Sequence, residues 1–316
     1  MRSPPRYGSI CGYRDDVDAA ELAERFGLGR AVRLSDGAVA RGKQGEVWRL
    51  DTVDGRWAVK VPFHPPGPAG AELQEAACAA GVPAPRIRRT LDGQIFALVG
   101  SHRVRVYEWV DLGRPDPMVD PALVGAIVAA VHRVRLPADG PVEPWHTAPV
   151  GALAWDELIV RLRAAGAPFA GRLADLRDEL VALEAWLEPP ADLQACHRDL
   201  WADNLLPTPG GGLCVIDWEN SGPADPSQEL ACVLFEFGRS DPGRARALTS
   251  AYAEAGGPGA VTRAGHFSML IAQLGHINQL AAERWLEADD RAGDAEWIAE
   301  TLDDPHTRER LAALLP

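Results

Sequence analysis

Lysine is almost missing from this chain: 316 residues carry thirty arginines but only two lysines, Lys43 and Lys60. Surface charge and most anion contacts therefore fall to arginine. A lysine inside a strand-like pattern then needs a chemical reason, because a compact ammonium does what a planar guanidinium cannot. Heavy use of Arg, Ala, Gly and Pro reads as a GC-rich coding bias. Cysteine is also sparse: Cys11, Cys78, Cys196, Cys214 and Cys232 are scattered, odd in number and without a C-x-x-C pair. That argues against zinc and against a disulfide framework, and suits reduced thiols in a cytoplasm. No apolar run approaches a membrane span, and the longest, Val124 to Val131, suits a buried helix. No apolar segment follows Met1 to Pro5, so a secretory signal is not expected.

What is present describes an ordinary globular protein, 47% apolar and 24% charged, with room for two lobes. Its net charge of −13 is unevenly divided. Residues 1–110 hold 16 basic and 13 acidic side chains, whereas 111–316 hold 16 and 32. An acidic second part argues against nucleic acid and anionic lipid and favours a cationic small molecule. The same charge would equally serve solubility.

Acidic residues at the start of Asp15–Phe26 predict a leading helix. Strands follow at 31–34, 38–40, 46–50 and 57–63, with a hairpin turn at Val53-Asp54-Gly55. A helix over 70–80 and strands at 95–99 and 103–109 complete a first domain, 1–110. From there the pattern is helical, over 121–133, 153–166, 170–187, 229–237, 243–256, 262–287 and 292–302, giving a second domain, 111–316. Asp225 is placed to cap the 229–237 helix. His132 reads as a packing residue rather than a ligand. The fold class is α+β: an antiparallel sheet, then mainly helices.

The stretch from Cys196 to Asn204, with Ile216-Asp217-Trp218 beyond it, organises the chain. Leu205-Leu206 and Leu213 to Ile216 flank a Pro/Gly cluster and predict a hairpin turning near Gly210 and Gly211. Asn204 and Asp217 then fall opposite each other at its open end, with Asp199 entering from the loop before. As isolated pieces these residues would only cap turns. Together they offer three oxygen donors, which suit a hard cation and a phosphoryl group. His197-Arg198-Asp199-Leu200, three residues and Asn204 match the catalytic-loop pattern of eukaryotic-type kinases.

That resemblance gives other residues a meaning. Gly37 to Lys43 spells G-x-x-x-x-G-K, but Gln44 replaces the metal-binding hydroxyl and a strand pattern follows, so it is no P-loop. Read from Ala40, Gly42 and Gly45 resemble a kinase Gly-rich loop lacking its first glycine; a plain hairpin turn fits as well. Ala58-Val59-Lys60-Val61 resembles the kinase strand whose lysine meets the α- and β-phosphates. A carboxylate of the 70–80 helix, Glu72 ahead of Glu75, is expected to hold that ammonium. Backbone groups of Glu108, Trp109 and Val110 are expected to read the adenine edge.

With Gly81-Val82-Pro83-Ala84-Pro85, the Tyr107–Val110 connector and Ile216-Asp217-Trp218, the chain resembles the aminoglycoside phosphotransferase family. These are small-molecule kinases with a bilobal protein-kinase-like fold. The resemblance implies ATP or GTP and Mg²⁺ as cofactors. It makes Asp199 the residue that accepts or orients the substrate hydroxyl proton, and Asn204 and Asp217 the metal ligands. A protein kinase is not expected: eleven residues separate Asp217 from Glu229, and no Ala-Pro-Glu occurs. Glu283, Trp285, Glu287 and Asp289 are expected to line the acceptor pocket and pair with ammonium groups of an aminoglycoside or aminosugar, a reading that implies antibiotic resistance. The same family holds kinases of choline-like amines, other metabolites and macrolides, so the acceptor stays open. A non-catalytic nucleotide-binding pseudokinase is the alternative, opposed by the intact Lys60, Asp199, Asn204 and Asp217. No nucleic-acid or membrane partner is expected, and the oligomeric state is not specified.

Overall fold

A computed structural model describes residues 17–42, 45–63, 67–138, 140–287 and 292–315. The chain divides into two compact units. Among the described residues, one contains 17–116 together with Asp203–Ser221; the other contains Pro117–Ala202 and the chain from Gly222 onward. The late hairpin therefore belongs with the strands of the first part.

In the strand unit, helix α1 (Ala19–Phe26) starts where Asp18 accepts the Ala20 N–H at 2.8 Å and stops at Gly27, whose φ is 59°. Residues 15 and 16, where the pattern begins, lie outside the described residues. Strands β1 (Ala31–Leu34), β2 (Ala40–Arg41), β3 (Gly45–Thr52) and β4 (Gly55–Pro62) are followed by helix α2 (Ala69–Ala79). Then come β5 (Ile87–Arg88), β6 (Ala97–Val99) and β7 (His102–Glu108). The sheet is antiparallel in the order β1-β3-β4-β7-β5, with β2 on β3 and β6 on β7. Strand alternation sends Val59 and Val61 of β4, and Val104 and Val106 of β7, into a core with Leu22, Phe26, Leu28 and Leu50. Each such burial contributes about 1.5–3 kcal/mol. The opposite face of the same two strands carries Lys60 and, directly across in register, Arg105. One alternation thus builds the core and aims the lysine.

The hairpin pairs β9 (Leu205–Pro207) with β10 (Leu213–Val215) around a Thr208–Gly212 loop. Its register corrects one expectation. Leu205 opposes Val215 and the Ile216 N–H donates to the Asn204 carbonyl at 2.9 Å, so Asn204 faces Ile216. Asp217 lies one residue farther, where the backbone has already left the ladder with φ at 60°.

The helical unit contains α3 (Pro121–His132), α4 (Ala152–Ala164), α5 (Ala170–Glu184), the strand pair β8 (Gln194–Cys196) and β11 (Gly222–Ala224), and α6 (Pro226–Gly238). It continues through α7 (Pro242–Glu254), α8 (Ser268–Glu287), α9 (Ala292–Asp303) and α10 (Arg308–Ala312). Asp225 caps α6 by accepting the Ser227 N–H at 2.8 Å, with Pro226 in the first turn. All of α6 but Ser227 is buried. The helix expected over 262–287 begins instead as a short 3₁₀ turn at Ala264–Phe267. No helix among the described residues is long and apolar enough to cross a membrane.

The largest correction is Trp285. It is 4% exposed and packs edge-on against Phe169, ring centroids 5.5 Å apart, in a core with Trp155, Leu158, Leu162 and Ile298. Asn278, Ala281, Ala282 and Trp285 recur at helical spacing, so the indole lies on the inward stripe of α8. It is core packing with almost no surface left to line a pocket. Trp285→Ala should lower the unfolding free energy by about 3–5 kcal/mol, read from urea denaturation.

Candidate active site

Within the strand unit, Lys60 Nζ lies 2.7 Å from Asp217 Oδ1 and 2.7 Å from Glu219 Oε1. Arg105 Nη1 is 3.6 Å from the same Glu219 oxygen, and the Tyr107 hydroxyl donates to it at 3.4 Å. The side chains of Glu219 and Arg105 are 7% and 2% exposed, whereas Asp217 is 34% exposed. Burial alone would lower the lysine pKa. The Glu219 and Asp217 charges outweigh it and hold the ammonium above the usual lysine range. Burial, and then the adjoining Asp217, push Glu219 up against the opposing pull of Lys60 and Arg105.

Local chemistry explains why these carboxylates sit together. After Ile216 the chain turns at Asp217 and enters a 3₁₀ turn, Trp218–Asn220. The buried Trp218 indole donates to the Val215 carbonyl at 3.1 Å, and Ser221 Oγ donates to the Trp218 carbonyl at 2.6 Å. These bonds fix the turn at both ends, which places the side chains of Asp217 and Glu219 two residues apart around one ammonium. The positive φ at Asp217 is backbone strain that the surrounding bonds sustain.

Glu72 is not the partner of Lys60. It is exposed on α2, while Glu75 pairs with Arg89 at 2.5 Å. The cause lies in the helix face. Gly70 packs so closely on the Trp218–Glu219 backbone that a Cβ there would stand 2.2 Å from the Trp218 carbonyl oxygen. Gln74, one turn on, donates to the Pro85 carbonyl at 2.7 Å. Residue 72 points about 200° away from residue 70 at 100° per residue.

The other strand-unit expectations are placed as follows. Gly42 donates its N–H to the Gly45 carbonyl at 3.0 Å, and Gly45 is needed because a Cβ would meet the Val61 carbonyl oxygen at 2.5 Å. The loop tip, residues 43 and 44, lies outside the described residues. At the connector the N–H groups of Glu108 and Trp109 donate to the carbonyls of Arg86 and Arg56. Those two donors are engaged inside the unit.

In the helical unit, the loop carrying Asp199 is held by carboxylates of α6. Glu229 accepts the N–H of His197 at 3.3 Å and that of Arg198, and Glu236 accepts the Ala202 N–H at 3.3 Å. Glu229 and Glu236 are seven residues apart and share a helix face. Gln273 on α8 donates to the Arg198 carbonyl at 2.8 Å, and Arg198 itself has φ at 63°. Behind Glu229 stands a buried chain. His132 Nε2 is 2.7 Å from Glu229, its Nδ1 is 2.8 Å from the Tyr252 hydroxyl, and that hydroxyl accepts the Gly259 N–H at 3.0 Å. Burial pushes the Glu229 carboxyl up, but His132, His197 and the Arg198 N–H more than reverse this and hold it below the usual range.

Of the remaining acceptor candidates, Glu283 accepts from Gln279 at 3.2 Å, Glu287 is exposed, and Asp289 lies outside the described residues. Glu219, Glu229 and Glu236 are residues that sequence reasoning missed. A glutamate inside the apolar run of α6 was a usable signal for the second and third. Glu219 stands two residues past Asp217, close enough to have been weighed with it.

Because the Glu229 pKa is depressed by folding, its stabilisation is present above the ordinary carboxylate value of 4.5 and lost as pH falls through the lowered one. Glu229→Gln should therefore be less stable than the wild type at neutral pH. Its stability should also change less between about pH 5 and pH 3, as measured by urea midpoints across that range.

A model of the phosphotransferase enzyme family matches residues 38–264. No curated protein sequence matches the chain at a significant level. Solved structures share the fold at low identity. A spectinomycin phosphotransferase in complex with ADP and spectinomycin is 12% identical, with a TM-score of 0.68 over 93% of this chain and 96% of that one. An aminoglycoside phosphotransferase from Alicyclobacillus acidocaldarius is 17% identical, with a TM-score of 0.60 over 97% and 96%. A choline kinase from Streptococcus pneumoniae is 18% identical, with a TM-score of 0.60 over 93% and 97%. The fold is protein-kinase-like α+β, with an antiparallel sheet in the first part and helices in the second. The chain belongs to the phosphotransferase enzyme family and is a small-molecule phosphotransferase.

Proposed function

We propose that the protein transfers the γ-phosphoryl group of ATP, or of GTP, to a hydroxyl of a small cationic molecule such as an aminoglycoside or aminosugar. The observation that carries the nucleotide half is the clasp on Lys60: a charged ammonium, held by two carboxylates, on a sheet face that needs no lysine for its core. Lys60 would neutralise the α- and β-phosphates. Asn204 and Asp217 would hold Mg²⁺. Both offer hard oxygen atoms, and Asp217 is the more exposed member of its carboxylate pair. The cation, when bound, supplies charge neutralisation at the transferring phosphoryl group.

Asp199 would orient the acceptor hydroxyl and take its proton as the oxygen attacks phosphorus and the bond to the β-phosphate oxygen breaks, leaving ADP. Glu229 and Glu236 support this role by fixing the backbone on either side of Asp199. Positioning of this kind supplies much of the rate in phosphoryl transfer. A cationic acceptor is supported by the excess of sixteen acidic side chains in 111–316. Several structural neighbours act on aminoglycosides or choline, and by the first of these likenesses the activity would confer antibiotic resistance.

Incubation with MgATP and a panel of aminoglycosides, aminosugars, choline and macrolides should give a phosphate-sized mass gain on an amine-bearing acceptor. A gain confined to neutral acceptors would overturn the cationic reading. Asp199→Asn should lower kcat by about 10²–10⁴-fold, with the KM for ATP little changed. Unchanged turnover would remove Asp199 from the chemistry.

A further inference from the structure

Kinase-like sites need their phosphate-binding lysine held by a carboxylate, and the sequence pattern points to the helix after it for that group. Here the helix does not supply one. Glu72 is exposed, Glu75 is engaged by Arg89, and Gly70 brings the near face of α2 into backbone contact with the 218–219 turn. We propose that Glu219 is the positioning residue for Lys60, so that the turn carrying Asp217 also carries the group that fixes the lysine.

Four features support it. The Glu219–Lys60 contact is 2.7 Å and both side chains are largely buried, at 7% and 12% exposure, where a charge pair is weakly screened. Glu219 cannot easily swing away, because Arg105 and the Tyr107 hydroxyl approach the same oxygen. Arg105 is itself fixed, stacked 4.6 Å over the Phe96 ring and donating to the Tyr107 hydroxyl at 3.0 Å. Finally, the turn is bolted to the hairpin through the Trp218 indole on the Val215 carbonyl, and Ser221 closes it onto the Trp218 carbonyl. The lysine is therefore set by a local element of the turn and sheet, and its position does not depend on where α2 lies. Glu219 acts through Lys60 and touches no reacting atom.

Its kinetic consequence rests on the phosphotransfer reading; the ion pair itself can be tested without turnover. With only Lys43 and Lys60 in the chain, labelling by a small amine-acylating reagent resolves each lysine by peptide mapping. Wild type, Glu219→Gln, Glu219→Asp, Glu72→Gln and Glu75→Gln are compared as full-length folded chains, with Lys43 as the internal control. Glu219→Gln should raise the Lys60 labelling rate at least fivefold, and Glu72→Gln and Glu75→Gln should leave it within twofold. Glu219→Asp keeps the charge and should fall between, which preserves the test if Glu219→Gln does not fold. In turnover at the Mg²⁺ concentration that just saturates the wild type, Glu219→Gln should lower kcat/KM for ATP at least thirtyfold, and Glu72→Gln should not. Equal effects of Glu72→Gln or Glu75→Gln, or unchanged Lys60 labelling in Glu219→Gln, would overturn the proposal. So would full recovery of Glu219→Gln by added Mg²⁺, which would make Glu219 a metal ligand. Absence of transfer by the wild type would refute the functional reading while leaving the labelling result decisive for Glu219.

Discussion

An ammonium taken out of water must be given fixed counter-charge, and the strand unit is arranged around meeting that demand at Lys60. Two carboxylates are brought to it, and one of them, Glu219, is in turn faced by Arg105. Four charges confined in a small volume are tolerable only because each has a near partner; loss of one partner from a buried pair typically costs about 3–5 kcal/mol. The sheet supplies the cations by strand alternation, the hairpin supplies the anions by its exit turn, and Trp218 keeps that turn in place. Much of the unit's internal geometry follows from these three contributions.

The helical unit solves a related problem with backbone groups. The loop around Asp199 does not place these N–H groups in a regular ladder. The buried α6 therefore offers them Glu229 and Glu236. Placing a carboxylate at full burial is tolerable because it accepts from two N–H groups and contacts His132, whose far nitrogen meets Tyr252. His132 is thus a satisfied buried residue, as its place in an apolar helix suggests.

The local pattern of the sequence made the strands and the hairpin readable, because alternation and turn chemistry act over a few residues. Where contacts join distant segments, it failed. Helix periodicity shows that Trp285 lies on a stripe, but not that Phe169 packs edge-on against it within a core that also holds Trp155. A glutamate early in the 70–80 helix looks like a partner for Lys60 until Gly70 is seen to turn the other face toward Trp218. The hairpin register slipped by one for a related reason: Asp217 leaves the ladder through a positive φ that alternation does not encode.

The sequence by itself determined the family-level chemistry, since the His-x-Asp-x₄-Asn spacing, the Ile-Asp-Trp run and the strand lysine are local patterns tied to phosphoryl transfer. Tertiary structure alone decided which carboxylates serve the lysine and the loop. Those pairings span 159 positions from Lys60 to Glu219 and 31 from Arg198 to Glu229. Such pairings are selected by burial, which leaves a charge or an N–H group with few available partners, and burial exists only once the chain has packed.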